Sequence, residues 1–400
     1  MDLIPLLHPR DGLPAVAHSP AEFQTAAAQL AQGRGPIAID TERASDFRFD
    51  DRAFLVQLRR QDAGTILVAP EPDRSAFSAA FAPVLNGREW VLHAASSDLP
   101  ALKLLGLTPG VVFDTELSGR LLGFPKVNLG ALIAEVLGFE LEKSHGNEDW
   151  STWPLPESWL NYAALDVELL LELADALTEL LDAEGKLGWL EQECAYTVAN
   201  TKVPHPTWTD LKGIGRLKKP EQLLIARSLW ERRQAVAGEK DRAPHRILAN
   251  KALVELAYSL PTSTSAIRAA LGRRGSNPEF VARLAQTMRQ ARRSPKATWP
   301  KAHKRDFNIT PAPRTLWSSS FPEAQEALAH ARELLAELAA ETNTPVENLL
   351  QPAMLREVVW HSVITRRIKT SAELDAYLAQ IGARPWQREL CSSLLAEALV

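Results

Sequence analysis

Residues 35–42 read Gly35-Pro36-Ile37-Ala38-Ile39-Asp40-Thr41-Glu42, and two acids closing an apolar run decide how the first half of the chain is read. Ile37-Ala38-Ile39 has the composition of a buried strand. A period of two then places Asp40 and Glu42 on one side of the strand end. Paired carboxylates repel each other unless a cation sits between them, and hard divalent ions take oxygen ligands of this kind. Alone, the tripeptide Asp-Thr-Glu is a weak signal, because Asp114-Thr115-Glu116 repeats it. The second copy follows Val111-Val112-Phe113 and leads into a helix. There Asp114 or Thr115 reads as an N-cap and Glu116 as a first-turn residue.

Outward from this run, short apolar segments recur at Phe54–Leu58, Thr65–Val68, Trp90–Leu92 and Val111–Phe113. The first two follow 37–39 closely, with a Gly64 turn between them, which predicts an antiparallel meander opening a mixed sheet. Helical periodicity follows in Leu99, Leu102, Leu105 and in Leu117, Leu121, Leu122, each ending near a glycine. A long helical pattern runs from Pro156 past Leu181 to Gly185. The first block, 1–205, is therefore α/β. Residues 215–295 hold no convincing strand, and neither do residues 319–400, where helices are expected over 324–340, 349–366, 372–381 and 389–399. Similar size and element order suggest a diverged duplication of one helical module.

Three more polar residues stand out in the first block. Asp98 lies in His93-Ala94-Ala95-Ser96-Ser97-Asp98-Leu99, just past a strand, where local sequence favours Ser96, Ser97 or Asp98 as the cap of the next helix. His93 reads more simply as a satisfied strand-end histidine. Tyr162 and Asp166, in Asn161-Tyr162-Ala163-Ala164-Leu165-Asp166-Val167, are four apart and so stack on one helix face. Small Ala163 and Ala164 let another element come close. An acid on a face with Leu165, Leu169 and Leu170 needs a partner or costs several kcal/mol when buried. A metal ion would be such a partner, and a solvent-facing Asp is the other reading.

Composition narrows the class. A chain of 400 residues with 46% hydrophobic and 24% charged residues reads as two or three globular domains. No apolar stretch approaches the roughly 20 residues of a membrane span, and no signal peptide is read at the start. Cys194 and Cys391, far apart in sequence, argue against a disulfide scaffold or a thiolate zinc site, and a cytoplasmic protein is expected. The net charge of −4 hides a basic linker at 296–318 and its flank. Arg292, Arg293, Lys296, Lys301, Lys304, Arg305 and Arg314 face only Asp306 there. That run suits either phosphate attraction or a solvated linker.

Asp40 and Glu42 on a strand, Asp98 further on, then Tyr162 and Asp166 on a helix, resemble the DEDD exonucleases in their tyrosine-bearing subgroup. Residues 93–99 and 161–167 are similar to the second and third exonuclease motifs of ribonuclease D. Phe113-Asp114-Thr115, Leu141-Glu142-Lys143-Ser144, Asp149-Trp150 and Pro154-Leu155 follow the same family pattern. Two positions depart from it: Arg43 stands where the family commonly has an aromatic, and Trp153 where it usually has Arg. Leu229-Trp230-Glu231-Arg232-Arg233, Arg246-Ile247-Leu248 and Leu253–Ala257 resemble the HRDC domain, shared with RecQ-type helicases. Asn343-Thr344-Pro345 and Leu349-Leu350 resemble it more faintly.

The resemblance implies an RNase H-like α/β exonuclease domain over 1–205 followed by two all-α HRDC-type domains, 215–295 and a divergent one at 319–400. It further implies a 3′–5′ exoribonuclease that trims structured RNA such as tRNA precursors to nucleoside 5′-monophosphates. Asp40, Glu42, Asp98 and Asp166 would hold two divalent ions, Mg²⁺ or Mn²⁺, and Tyr162 would orient the attacking water. The alternatives are a DNA 3′–5′ exonuclease in repair and a non-catalytic RNA-binding protein on a degenerate exonuclease fold. No phosphate-binding loop of the G-x-x-x-x-G-K-[ST] type is present, and no nucleotide cofactor is expected.

Overall fold

Alternation along one strand sets the architecture of the first block. The computed structural model describes residues 3–141, 148–272, 277–302 and 306–400. Its opening elements are β1 (Ile4–Leu6), β2 (Val16–Ala17), α1 (Pro20–Gln32), β3 (Arg34–Arg43), β4 (Ala53–Gln61), β5 (Gly64–Val68), α2 (Arg74–Leu85), β6 (Glu89–Leu92), α3 (Leu99–Leu104) and β7 (Val111–Asp114). Six strands form a sheet in the order β2-β5-β4-β3-β6-β7. β3, β4 and β5 are the expected antiparallel meander, while β6 and β7 run parallel to β3, so the sheet is mixed.

Ile37 and Ile39 turn to one face and join a core with Phe23 and Leu30 of α1 and Phe77 and Phe81 of α2. Phe77 meets Phe23 edge-on, with ring centroids 5.9 Å apart, and stacks on Phe81 at 4.8 Å. Each such pair adds about 0.5–1.5 kcal/mol beyond its burial. Ala38 turns to the opposite face, and its small side chain lets Val167, Leu170 and Ala174 approach. The same alternation carries Asp40 and Glu42 to that second face.

The chain then runs through α4 (Thr115–Leu121), α5 (Leu129–Leu132), β8 (Phe139–Leu141), α6 (Glu157–Glu168), α7 (Leu170–Ala183) and α8 (Leu187–Asn200). The long helical pattern expected from Pro156 to Gly185 is thus two helices. The break is at Leu169, with φ −111° and ψ 9°, and neither Gly nor Pro marks it in the sequence. Splitting there allows α6 to lie on β3, β4 and β5 while α7 lies on β3 and β6. In the pattern Leu141-Glu142-Lys143-Ser144, residues 142–144 fall outside the described residues.

The second block is α9 (Pro220–Glu239), α10 (Pro244–Ile247), α11 (Asn250–Ser259), α12 (Thr264–Leu271) and α13 (Pro278–Arg292). It has its own core, built on Leu223, Ile225, Leu229, Leu253, Leu256 and Val281. The third is α14 (Trp317–Ser320), α15 (Pro322–Glu341), α16 (Val346–Leu349), α17 (Pro352–Val359), α18 (Ser371–Gln380) and α19 (Pro385–Leu399). Its core is continuous with that of the first block. Trp386 stacks on Trp189 at 4.6 Å, and Arg384 bonds Glu193 at 2.7 Å. Asn343 donates to the Leu122 carbonyl at 2.9 Å. Of the basic run, Arg292 is engaged internally with Glu221 at 2.7 Å, and residues 303–305 lie outside the described residues. No helix among the described residues is long and apolar enough to cross a membrane.

Candidate active site

The end of β3 delivers the first two acids. Carboxylate oxygens of Asp40, Glu42 and Asp166 all lie within 4.8 Å of one another. Asp166 comes from α6, one turn after Tyr162, and the Tyr162 hydroxyl donates to it. Ala163 and Ala164, both fully buried, bring α6 down onto Leu55 and Leu67 of the sheet. Without that close approach Asp166 could not reach the strand end.

Asp98 lines the same cavity, of about 220 Å³, together with Thr41, Arg43, His93 and Tyr162. It is not one of the three acids drawn within 4.8 Å of one another. The reason lies in the strand period: Thr41 turns away from Asp40 and Glu42, and its hydroxyl donates to Asp98 at 2.6 Å. Asp98 sits at the N-cap position of α3 but makes no cap hydrogen bond, so the capping reading fails. The second Asp-Thr-Glu behaves as its sequence suggested. Asp114 caps α4 by accepting from the Glu116 and Leu117 amides, and its carboxylate also accepts from Ala94 and Ala95.

Crowding and burial raise the acids. Burial is the largest cause for Asp40, with Asp98, Asp166 and Glu42 adding repulsion, and its carboxyl stands well above the usual range. Burial and the Asp166 charge push Glu42 up to about 9. Burial lifts Asp166 to about 7 against the Tyr162 hydrogen bond that lowers it. Asp98 reaches only about 6, since Arg43 and Thr41 oppose its burial. Burial drops His93 to about 4, and its Nδ1 lies 2.9 Å from the Thr115 hydroxyl, which fits a neutral strand-end histidine. Acids held this close, with an all-oxygen donor set, fit a hard divalent cation such as Mg²⁺ or Mn²⁺.

Arg43 bonds the Ser97 carbonyl and Asp51, and its guanidinium lies 4.0 Å from Asp98. A cation thus stands at the pocket wall where the family pattern has an aromatic. Trp153 is exposed and packs on His18 at 5.0 Å, away from the pocket lining. Sequence reasoning missed two buried polar groups on the same sheet face. Glu168, fully buried on α6, pairs with Arg59 at 3.0 Å. Gln57, opposite Asp40 in the ladder and fully buried, has no hydrogen-bond partner among the described residues for either amide atom. Both sit in runs that read as ordinary strand or helix, so no local pattern marks them.

Comparison with known families and structures agrees with this geometry. Residues 16–182 match a 3′–5′ exonuclease family, residues 222–288 the HRDC domain, and residues 310–399 a family described as a 3′ to 5′ exonuclease C-terminal domain. Ribonuclease D of Pseudomonas paraeruginosa is 32% identical over 256 residues, 61% of this chain and 66% of that protein. Ribonuclease D of Bartonella henselae is 28% identical over 231 residues, 56% of each chain. The match therefore spans less than two thirds of these relatives. A crystal structure of a protein from Bifidobacterium adolescentis superposes with a TM-score of 0.82 at 30% identity, covering 99% of both chains. That of Escherichia coli RNase D, an exoribonuclease involved in structured RNA processing, gives 0.72 at 20% identity over 96% of this chain and 98% of that one. At that identity the likeness shows the fold.

Proposed function

From the premise that the chain belongs to the ribonuclease D family, we propose that it is a metal-dependent 3′–5′ exoribonuclease acting on structured RNA such as tRNA precursors. The observation that carries this reading is the convergence of Asp40, Glu42 and Asp166 at one strand end, with Tyr162 on the same helix face. Asp40, Glu42, Asp98 and Asp166 would hold two divalent ions. When bound, such ions activate water and stabilise the charge that develops on the departing 3′ oxygen.

The chain's own residues do the rest. Tyr162 orients the attacking water through its hydroxyl, which stays protonated because burial and the neighbouring carboxylates raise it. The phosphodiester is then cleaved to a nucleoside 5′-monophosphate. At about 220 Å³ the pocket is smaller than the roughly 300–1,000 Å³ of common small-molecule sites, which suits a frayed chain end over a duplex. The body of the RNA has a basic groove on the second block, lined by Arg232, Lys240, Arg242, Arg246 and Arg283 against Glu239.

We also read residues 319–400 as a divergent HRDC-like module. Helices α9 to α13 have 20, 4, 10, 8 and 15 residues. Helices α15 to α19 have 20, 4, 8, 10 and 15. That parallel supports duplication of one element order.

The test is digestion of a 3′-tailed tRNA and a matched single-stranded DNA with Mg²⁺, with Mn²⁺ and with EDTA, comparing wild type with Asp40→Ala. Stepwise, metal-requiring 3′ shortening of RNA that the mutant loses is the expected outcome. Faster attack on DNA moves the activity towards repair. Binding without cleavage, unchanged in Asp40→Ala, leaves an RNA-binding protein.

A further inference from the structure

The loop between the two strands nearest the site is shared with the second block. Residues 44–52 join β3, which carries Asp40 and Glu42 near its end, to β4. On the outer side of this loop stands Asp241, just beyond α9 and in left-handed backbone with φ 45°. Its carboxylate accepts from Arg52 Nη1 at 3.0 Å and Nη2 at 2.8 Å, from Arg48 Nη1 at 3.3 Å and from the Phe49 amide at 3.4 Å. The Ala243 amide donates to the Phe47 carbonyl at 3.0 Å, and Arg246 lies 4.3 Å over the Phe47 ring. A forked guanidinium bonded at both ends to one carboxylate fixes orientation as well as distance.

On its inner side the same loop touches the pocket twice. Asp51 accepts from Arg43 at 3.4 Å, and Arg43 stands 4.0 Å from Asp98. Arg48, the second cation on Asp241, also donates through Nε to the Ser151 hydroxyl at 2.7 Å. The neighbouring Trp150, 1% exposed, lies with its ring 6.5 Å from that of Tyr162. One loop therefore links Asp241 to the cation beside Asp98 and to the segment beneath Tyr162.

We propose that Asp241 is a positioning residue for the exonuclease site: by clamping Arg52 and Arg48, the second block seats the 44–52 loop and, through it, Asp98 and Tyr162. The inference rests on the exonuclease reading above. On the plainer view the clamp only tethers a domain that captures RNA. The two differ in what happens to a substrate too short to reach that domain.

The experiment compares wild type, Asp241→Asn, Arg52→Lys and Asp241→Glu on a tri-ribonucleotide and on a 3′-tailed tRNA. Asp241→Asn keeps the shape while weakening the fork, and far-ultraviolet circular dichroism checks that the fold survives. Misplacement of catalytic groups by a fraction of an ångström lowers turnover steeply. For Asp241→Asn and Arg52→Lys we expect kcat on the trinucleotide to fall roughly tenfold or more, with KM within about twofold. The Mn²⁺ concentration at half-maximal thermal shift should rise several-fold, and Asp241→Glu should recover part of both. Unchanged kcat on the trinucleotide, with KM raised only on the long RNA, overturns the proposal in favour of tethering. If wild type cuts neither RNA, the exonuclease reading fails by itself. The clamp is then judged by the Mn²⁺ midpoint alone, and an unchanged midpoint in Asp241→Asn refutes it.

Discussion

Two copies of one tripeptide do opposite work at the level of single residues. Asp40 is crowded by three other carboxylates, while Asp114 accepts from four backbone amides. Asp40→Asn removes repulsion, so metal-free protein at pH 8 should gain ~1–2 kcal/mol while RNA cleavage is lost. Burial holds the Asp114 carboxyl up at about 6, but Asp114→Asn offers one acceptor oxygen to amides that had two and turns an NH2 towards the rest, and should cost about 1–3 kcal/mol. Urea unfolding of both variants checks the pair, and the same sign in both would contradict this account.

Proton linkage follows from the same crowding. Asp98, Asp166 and Glu42 hold protons to about 6, 7 and 9 in the fold, above the ordinary carboxylate value of about 4. Over that window these three carboxyls bind more protons in the folded state than in the unfolded, so their contribution to metal-free stability declines as pH rises from about 4 to about 9. A divalent cation competes with those protons and binds the folded site. Saturating Mn²⁺ should therefore raise Tm by several degrees at pH 8 and hardly at all at pH 5. An equal rise at both would place the ion elsewhere.

Among elements, the decisive contacts are those that no periodicity encodes. Helices α8 and α19 meet through Trp189 and Trp386, and the Trp386 indole N–H also donates to Glu193 at 2.9 Å. Trp386→Ala opens a large cavity and leaves Glu193 short of a donor, which should cost about 3–5 kcal/mol. Near-ultraviolet circular dichroism should lose the signal of the stacked pair at the same time. A change within 1 kcal/mol would mean that this junction contributes little. The break between α6 and α7 has the same character. Leu165, Leu169 and Leu170 continue one apolar pattern, and only packing on differently directed strands decides where the helix must end.

Across the whole molecule, the basic groove of the second block should act as an electrostatic anchor. Each phosphate neutralised releases counterions, so binding weakens with salt in proportion to the number of contacts. Arg232→Ala and Arg283→Ala should each raise KM for a long RNA and lower the salt slope by about one, across sequences alike. A trinucleotide should be indifferent to both. Loss of turnover on the trinucleotide would instead tie these residues to the chemistry. These outcomes distinguish a groove that would hold the body of the RNA from the proposed Asp241 clamp on the pocket.

The sequence by itself determined the strand that carries Asp40 and Glu42, the antiparallel meander, an N-cap at Asp114 or Thr115, the shared helix face of Tyr162 and Asp166 and the helical character of the described residues within 215–295 and 319–400. All of these follow from periods of two or 3.6 and from residue types within a few positions, which local sequence records. Tertiary structure alone decided the rest. Asp98 is held by Thr41 from the other side of β3, Arg43 stands at the pocket wall, and Glu168 is buried against Arg59. The third block shares the first block's core while the second keeps its own, joined through Asp241. Each of these depends on contacts between residues tens to hundreds of positions apart. Such contacts are set by how elements stack in space, and no local pattern carries that information.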